Sequence, residues 1–377
     1  MLNKSRIFAA GGMLLLTLGL VTSITTIAGA TTVPSAAWTT PATSPLNNGL
    51  SSMAYGNGHY VAVSAYQGAM YSTDGITWTA VTLQAHNDGF YNVTFGGGLF
   101  MAIGQSGAVA TSTDGTSWTV LSSQLPCAGP VLHGVCYSDD TNWQSVTYGA
   151  GKFVAVQYSG SDAYSTDGGA TWQSGDLSGS YNWQSVTYGD GKFVAVAYNG
   201  PGVGVSYSTD GITWTTQNLN TGSFSNVVYG DGKFVAVERN APYDSAVSTD
   251  GVNWTISPNA LPTFAIDLAF GDGYFIAVGG FNTQVSLDGL TWTEMANATS
   301  NQHLTFGDHQ FVAGRSQDNA TSISRLVLPV PTTTTTTAVP VVLSRTGSNV
   351  QSLLKLGGVM LSLGAILLLA GRRQIRA

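Results

Sequence analysis

Charge is what this chain has least of. Only 9% of its 377 residues are Asp, Glu, Lys or Arg, against roughly a quarter in an ordinary soluble domain. The shortage falls on the basic side: Thr31 to Thr346 holds 20 acidic and 7 basic side chains, a net of about −13, and the other Lys and Arg sit in the two ends. Such a field repels polyanions, so nucleic acid is excluded as a partner. Glutamate is reduced to Glu238 and Glu294, and cysteine to Cys127 and Cys136, so there is room for one disulfide. In an exported chain those two thiols are expected to pair and close a small loop, a gain of about 2 to 3 kcal/mol. The five histidines, His59, His86, His133, His303 and His309, show no paired ligand spacing, so no metal site is expected. There is no long amphipathic helical pattern and no phosphate-cradling glycine loop. A helical architecture is therefore excluded, and no cofactor is expected.

What the chain does have is 47 glycines and a repeat. Six phrases recur: YSTDGITW (Tyr71 to Trp78), TSTDGTSW (Thr111 to Trp118), YSTDGGATW (Tyr164 to Trp172), YSTDGITW (Tyr207 to Trp214), VSTDGVNW (Val247 to Trp254) and VSLDGLTW (Val285 to Trp292). Their tryptophans lie 40, 54, 42, 40 and 38 positions apart, a period of propeller blades. Ser and Asp side chains bond nearby N–H groups and Gly supplies positive φ, so each phrase reads as a tight turn between strands. Upstream of each lies a hairpin phrase, clearest in WQSVTYGDGKFVAV (Trp183 to Val196), and a seventh copy starts at His303. A strand, a two-residue Asp-Gly or Asn-Gly turn and a second strand form a strong hairpin signal. The second strand is apolar at consecutive positions, as when both faces of a sheet are covered.

The turn phrase resembles the Asp-box, or bacterial neuraminidase repeat, S-x-D-x-G-x-T-W. Ser165, Asp167, Gly169, Thr171 and Trp172 match it in full, and the other copies are one residue shorter. The resemblance implies an all-β, seven-bladed propeller of four-stranded antiparallel blades. It also implies that Asp74, Asp114, Asp167, Asp210, Asp250 and Asp288 are structural, at turns joining the third and fourth strands on the face away from the ligand. The seventh hairpin has no Asp-box after it. Trp38-Thr39-Thr40 resembles the fourth strand of a blade, so the N-terminal segment is expected to close the ring, with Ile323 to Leu328 as the alternative for that strand.

The ends organise the rest. Lys4 and Arg6 precede an apolar run and Ala28-Gly29-Ala30, so residues 1–30 read as a secretory signal. Residues 31–330 hold the propeller, and residues 331–346 a Thr/Pro-rich linker ending in Leu343-Ser344-Arg345-Thr346-Gly347. Residues 347–377 carry an apolar segment (Leu353 to Ala370) and a basic tail. This order resembles the cell-wall sorting signal L-P-x-T-G, with Ser344 in place of Pro, and implies cell-surface attachment through the C-terminus.

Function is then expected on the rim opposite the Asp-boxes, where long loops carry specificity. Tyr66, Asp88, Asp139, Asp140, Trp143, Tyr158, Trp183, Tyr198, Arg239 and Tyr243 are the candidates there, with burial between blades as the competing reading for Trp143 and Trp183. Sialidases resemble this chain in the repeat alone. Their arginine clamp from three blades has only Arg239, Arg315 and Arg325 to draw on, two of them in the last blade, and the Arg-Ile-Pro motif is absent. Photosystem assembly-factor propellers are similar in repeat, without their Arg-rich surface here. Loop acids such as Asp88, Asp140, Asp162 and Asp244 leave a glycoside hydrolase as the alternative, although no spacing selects a pair. The expectation is a monomeric, non-enzymatic binding or adhesion module for a glycan or a surface protein.

Overall fold

The computed structural model describes residues 37–39, 42–45, 49–65, 68–83, 89–121, 125–126, 131–132, 135–136, 142–158, 160–177, 181–198, 204–219, 223–279, 282–295, 301–317 and 320–329. The expected signal, linker and anchor segments lie outside them.

Consecutive strands hydrogen-bond as antiparallel neighbours into seven four-stranded sheets. The fourth blade shows the plan, with strands Asn182–Gly189, Lys192–Tyr198, Val205–Ser208 and Thr215–Gln217. The first strand of each blade packs against the first strands of the blades before and after it, and the blade that begins at His303 meets the blade that begins at Leu50, so the ring is closed. The second strands are the driest part: Phe193, Val194, Ala195 and Val196 have no exposed surface. Among the described residues the one helix is the short turn Gln105–Gly107.

The tight turns match the chemistry of their residues. Asp190 and Gly191 have φ of 45° and 72°, and Asn57 and Gly58 have 47° and 77°, the paired positive φ of a type I′ hairpin turn. The glycine that ends each first strand has a different task. A Cβ at Gly56, Gly96, Gly149, Gly189, Gly230, Gly271 or Gly307 would lie 2.0 to 2.2 Å from a ring or Cβ atom of Phe95, Tyr148, Tyr188, Tyr229, Phe270, Phe306 or Tyr55 respectively, always on the next blade around the ring. Each of these aromatics also tilts against the aromatic that follows the hairpin in its own blade, as Tyr188 does on Phe193 at 4.7 Å. The Tyr/Phe-Gly dipeptide of the repeat thus forms every seam between blades.

Polar side chains stitch the same seams. Ser52 Oγ accepts the N–H of Val93, Ser145 Oγ that of Val186, and Ser185 Oγ that of Val227. Asn92 Oδ1 receives Val146 N–H, and Asp267 Oδ2 receives Leu304 N–H. Buried backbone donors of one inner strand therefore find acceptors on the blade before.

The ring closes through its N-terminal segment. Ala42–Thr43 pairs antiparallel with Ala320–Leu326, with Ala42 opposite Ile323 and Thr43 opposite Ser322. Thr39 N–H donates to Arg325 O at 2.9 Å. The alternative segment, Ile323 to Leu328, overlaps the third strand of the last blade rather than the fourth. Trp38 lies just ahead of the pairing, 8% exposed, and its Nε1 donates to Thr283 Oγ1 on the sixth blade.

Each of the six Ser-Asp-Gly turns is a network of the kind its residues dictate. In the first, Ser72 Oγ donates to Asp74 Oδ1 at 2.9 Å and accepts Gly75 N–H, while Ile76 and Thr77 N–H converge on Asp74 Oδ1. The full-length copy adds Thr171 Oγ1 to Asp167 Oδ2 at 2.6 Å. Several donors on one carboxylate favour its ionised form. At Asp74 desolvation pulls the other way, yet the N–H groups of Thr77 and Ile76 hold the carboxyl at about 2. Asp114 is held at about 2 by Ser117 and Thr116 N–H, and Asp167, Asp210, Asp250 and Asp288 are lowered as well.

The six box carboxyls titrate lower folded than unfolded, so their contribution is complete above the ordinary value of 3.8 and lost as pH falls toward 2. Burial raises Asp162 and Asp267 to about 6, a cost that grows as pH rises from 3.8 to 6. Burial lowers His303 from 6.5 to about 4, so stability falls as pH drops through that window. The two opposed effects share the span from pH 4 to 6. Two carboxyls act against one imidazole there, so melting temperature is expected to hold or rise slightly from pH 6 to 4 and to fall steeply from 4 to 2. A midpoint that declines evenly from pH 6 downward in scanning calorimetry would contradict the assignment.

Candidate functional site

Antiparallel order puts the hairpin turns, and in the first six blades the Ser-Asp-Gly turns, at one end of each blade and the second-to-third-strand and blade-linking connections at the other. The residue that follows or ends the second strand takes the same place in successive blades: Gln105, Tyr158, Tyr198 and Arg239. Backbone bonds fix it there. Gln105 N–H donates to Gly89 O, Tyr158 N–H to Asn142 O and Arg239 N–H to Ser223 O, each acceptor lying just ahead of a first strand. Gln105 and Arg239 are exposed, Tyr158 is 41% exposed and Tyr198 is half-buried. Asn240 Nδ2 donates to Tyr198 Oη at 3.0 Å, bridging the fourth and fifth blades.

Beside this arc, where the first strands begin, the rim holds an open depression of about 380 Å³. Its lining comes from four blades: Gly49, Leu50, Ser51 and Ala65, then Tyr91, then Asn142 and Gln144, and His303. None of these side chains carries a charge at neutral pH, since His303 is lowered to about 4. The Tyr91 hydroxyl leans toward Gln105 Oε1 at 3.4 Å.

The sequence candidates divide into three groups. Tyr158, Tyr198 and Arg239 share the rim. Trp143 and Trp183 do not: both are fully buried and contribute no ligand surface. They open their first strands at the position that Leu50, Phe90 and Phe224 fill elsewhere, which is a core position. Tyr243 is half-buried and packs on the cluster of Val237, Leu261 and Ala265, so it supports the loop from below. Tyr66, Asp88, Asp139, Asp140 and Cys127 lie outside the described residues. Cys136 belongs to a ribbon, Val131–Leu132 paired with Val135–Cys136, that lies against the Gln105–Gly107 turn.

The described loop acids are engaged in holding backbone. Asp162 Oδ1 accepts Leu177 N–H and Oδ2 accepts Trp214 Nε1–H, both at 2.9 Å, tying the third blade to the fourth. Asp244 Oδ1 accepts Asn259 N–H, and Glu238 Oε2 accepts Asp244 N–H. All three side chains are buried. Arg325 bonds Gln310 at the closing seam on the hairpin-turn end, so it is not on this rim. Among the described residues no three His, Cys, Asp or Glu gather in a metal-binding group, and no helix is long and apolar enough to cross a membrane.

Sequence reasoning passed over Tyr91, Asn142 and Gln144. Their signal was the slot beside the first buried residue of the inner strand, as in Asn-Trp-Gln, where a polar side chain flanks a core indole.

No protein-family model matches the chain, and no curated protein does. Among solved structures it is similar to YCF48 bound to a D1 peptide, at 19% identity over 80% of this chain and 97% of that one, with a TM-score of 0.57. It is also similar to YCF48 from Cyanidioschyzon merolae, at 18% identity over 76% and 98%, with a TM-score of 0.54. At such identities the likeness is one of fold: the chain is a seven-bladed β-propeller similar in architecture to YCF48.

Proposed function

We propose that this chain is an exported propeller, tethered at the cell surface by its C-terminal segment, whose loop rim binds a glycan or a protein segment without converting it. One observation carries the reading: the described rim exposes Tyr158, Gln105 and Arg239, while Asp162, Glu238 and Asp244 are buried and committed to backbone N–H groups. Aromatic and amide side chains around an open depression suit recognition. A glycosidase needs two carboxyls facing across a sugar. That YCF48, a propeller of similar fold, has been solved with a peptide bound supports a binding role. Export and tethering rest on the character of the two ends, and the disulfide between Cys127 and Cys136 belongs to the same proposal.

The test pairs a glycan array with affinity capture from surface extracts, using the wild type, Tyr158→Ala and the Asp-box-end control Asp231→Ala. Tyr158→Ala is expected to weaken the captured ligand about tenfold, the worth of one aromatic contact, with the control unchanged. Turnover of fluorogenic glycosides that disappears in Asp88→Asn or Asp140→Asn would overturn the non-enzymatic reading.

A further inference from the structure

We propose that the depression at the mouth of the inner strands is a binding site for a compact, uncharged, hydroxyl-rich ligand, a neutral saccharide unit; the inference rests on the loop rim being the binding end. Ser51, Tyr91, Gln144, Gln184 and Ser225 hold the same place beside the buried residue that opens each first strand, and a register shift between the paired strands at that point sets them apart from the stitching residues that follow. Five neighbouring blades thus hold a neutral polar group or an aromatic ring at one level; the Ser51 and Ser225 hydroxyls donate to backbone carbonyls, which leaves Tyr91 and the amides of Gln144 and Gln184 as the groups to meet a ligand.

Within the depression the amides of Asn142 and Gln144 are half-buried and make no side-chain hydrogen bond to the described residues. An amide carries two donors and an acceptor, so this pair offers the alternating donors and acceptors that adjacent sugar hydroxyls match. Tyr91 supplies a ring that a pyranose can lie against. Among the described residues the lining contains no Lys, Arg, Asp or Glu, so these walls offer a charged ligand no counter-charge for its desolvation. The shape favours a compact ligand over an extended peptide. The inner strands are hydrogen-bonded to the second strands on one side, and on the other the N–H groups of Val93, Val146, Val186 and Val227 already donate to side chains of the blade before, which leaves a peptide little of that edge to join as a strand. About 380 Å³ lies in the range of small-molecule sites.

The experiment is saturation-transfer NMR on the intact protein with methyl glucoside, methyl galactoside, methyl mannoside and N-acetylglucosamine. Glucuronate and glucosamine serve as charged counterparts, and a neutral Gly-Ser octapeptide as the extended control. At least one neutral glycoside is expected to show transfer that Gln144→Ala weakens about tenfold, that Tyr91→Phe keeps and Tyr91→Ala loses, and that neither charged sugar reproduces. Circular dichroism of each variant identifies any that fails to fold, and Asn142→Ala then replaces it. Transfer to the octapeptide or to a charged sugar in place of the neutral glycosides overturns the ligand class. Transfer unaffected by Gln144→Ala and Asn142→Ala but lost in Tyr158→Ala overturns this site and leaves the rim reading standing. No transfer from any glycoside overturns the site.

Discussion

Gly189→Ala is expected to destabilise the propeller by about 3 kcal/mol, the upper part of the range for forcing an extra carbon into a packed core. The new methyl would stand 2.0 Å from Cγ of Tyr229, the ring atom nearest that residue's own backbone, so the ring cannot swing clear as a flexible chain end would. It is also held from behind by Phe234, 4.8 Å away between centroids. An alanine in a strand interior ordinarily gains up to about 1 kcal/mol over glycine, which here is too little to offset the clash. The decisive measurement is a double-mutant cycle. Tyr229→Ala removes the ring and is itself costly, about 3 kcal/mol by comparison with other aromatic truncations. In the double variant the Gly189→Ala methyl has nothing to strike, so it should be hardly less stable than Tyr229→Ala alone. A coupling of about 2 kcal/mol or more between the two sites in urea unfolding is the expected result. Additive losses would show that the glycine is needed for some reason other than the approach of the neighbouring blade.

That prediction also marks what could be read from residue types and what could not. The Ser-Asp-Gly turns were legible because their interactions are local: Ser72, Asp74 and Gly75 satisfy one another within a few residues, and the phrase carries its own geometry. The hairpin turns were legible for the same reason, since Asp190-Gly191 needs only its own φ values. The glycine before each hairpin shows as a repeat in the sequence, but its partner sits on another blade, 35 to 52 residues on, or for Gly307 at Tyr55 across the ring closure. Nothing local distinguishes a glycine that admits a neighbour's ring from one that merely begins a turn. The candidate site was harder still. Trp143 and Gln144 are adjacent, yet strand alternation buries the indole completely and leaves the amide at the rim, and residue type alone favoured the aromatic. Asp162 resembled a free loop acid until Trp214, 52 positions on, was found to donate to it.

Removal of residues 31–43 is expected to abolish cooperative folding, and the reason lies in how the first and last strands of the propeller meet. The deleted segment takes with it Trp38, 8% exposed and bonded through Nε1 to Thr283 at 2.9 Å. It also removes the reciprocal pair in which Thr39 N–H donates to Arg325 O and Thr39 Oγ1 accepts Arg325 N–H, together with the Ala42 to Ile323 pairing. Truncating a buried Trp costs about 3 to 5 kcal/mol, and each lost hydrogen bond adds about 1, so the loss rivals the whole stability of a typical domain, about 5 to 15 kcal/mol. It also strips the outer edge of Ala320–Leu326, leaving a seven-residue strand open to pairing with other chains. The seam beside it carries a polar latch that the other six lack. Tyr60 replaces the phenylalanine found at Phe100, Phe153, Phe193, Phe234, Phe275 and Phe311. Its hydroxyl donates to Gly307 O at 2.5 Å and accepts from Gln310 Nε2 at 2.9 Å. This latch joins the first blade to the seventh but leaves the fourth-strand place of the seventh empty, so it cannot replace the missing segment. A synthetic peptide of residues 31–45 added in trans should restore the native circular dichroism and suppress aggregation with a saturable concentration dependence, whereas the same peptide carrying Trp38→Ala should need far higher concentrations. A truncated chain that melted at the wild-type temperature would show that the ring holds without its N-terminal strand.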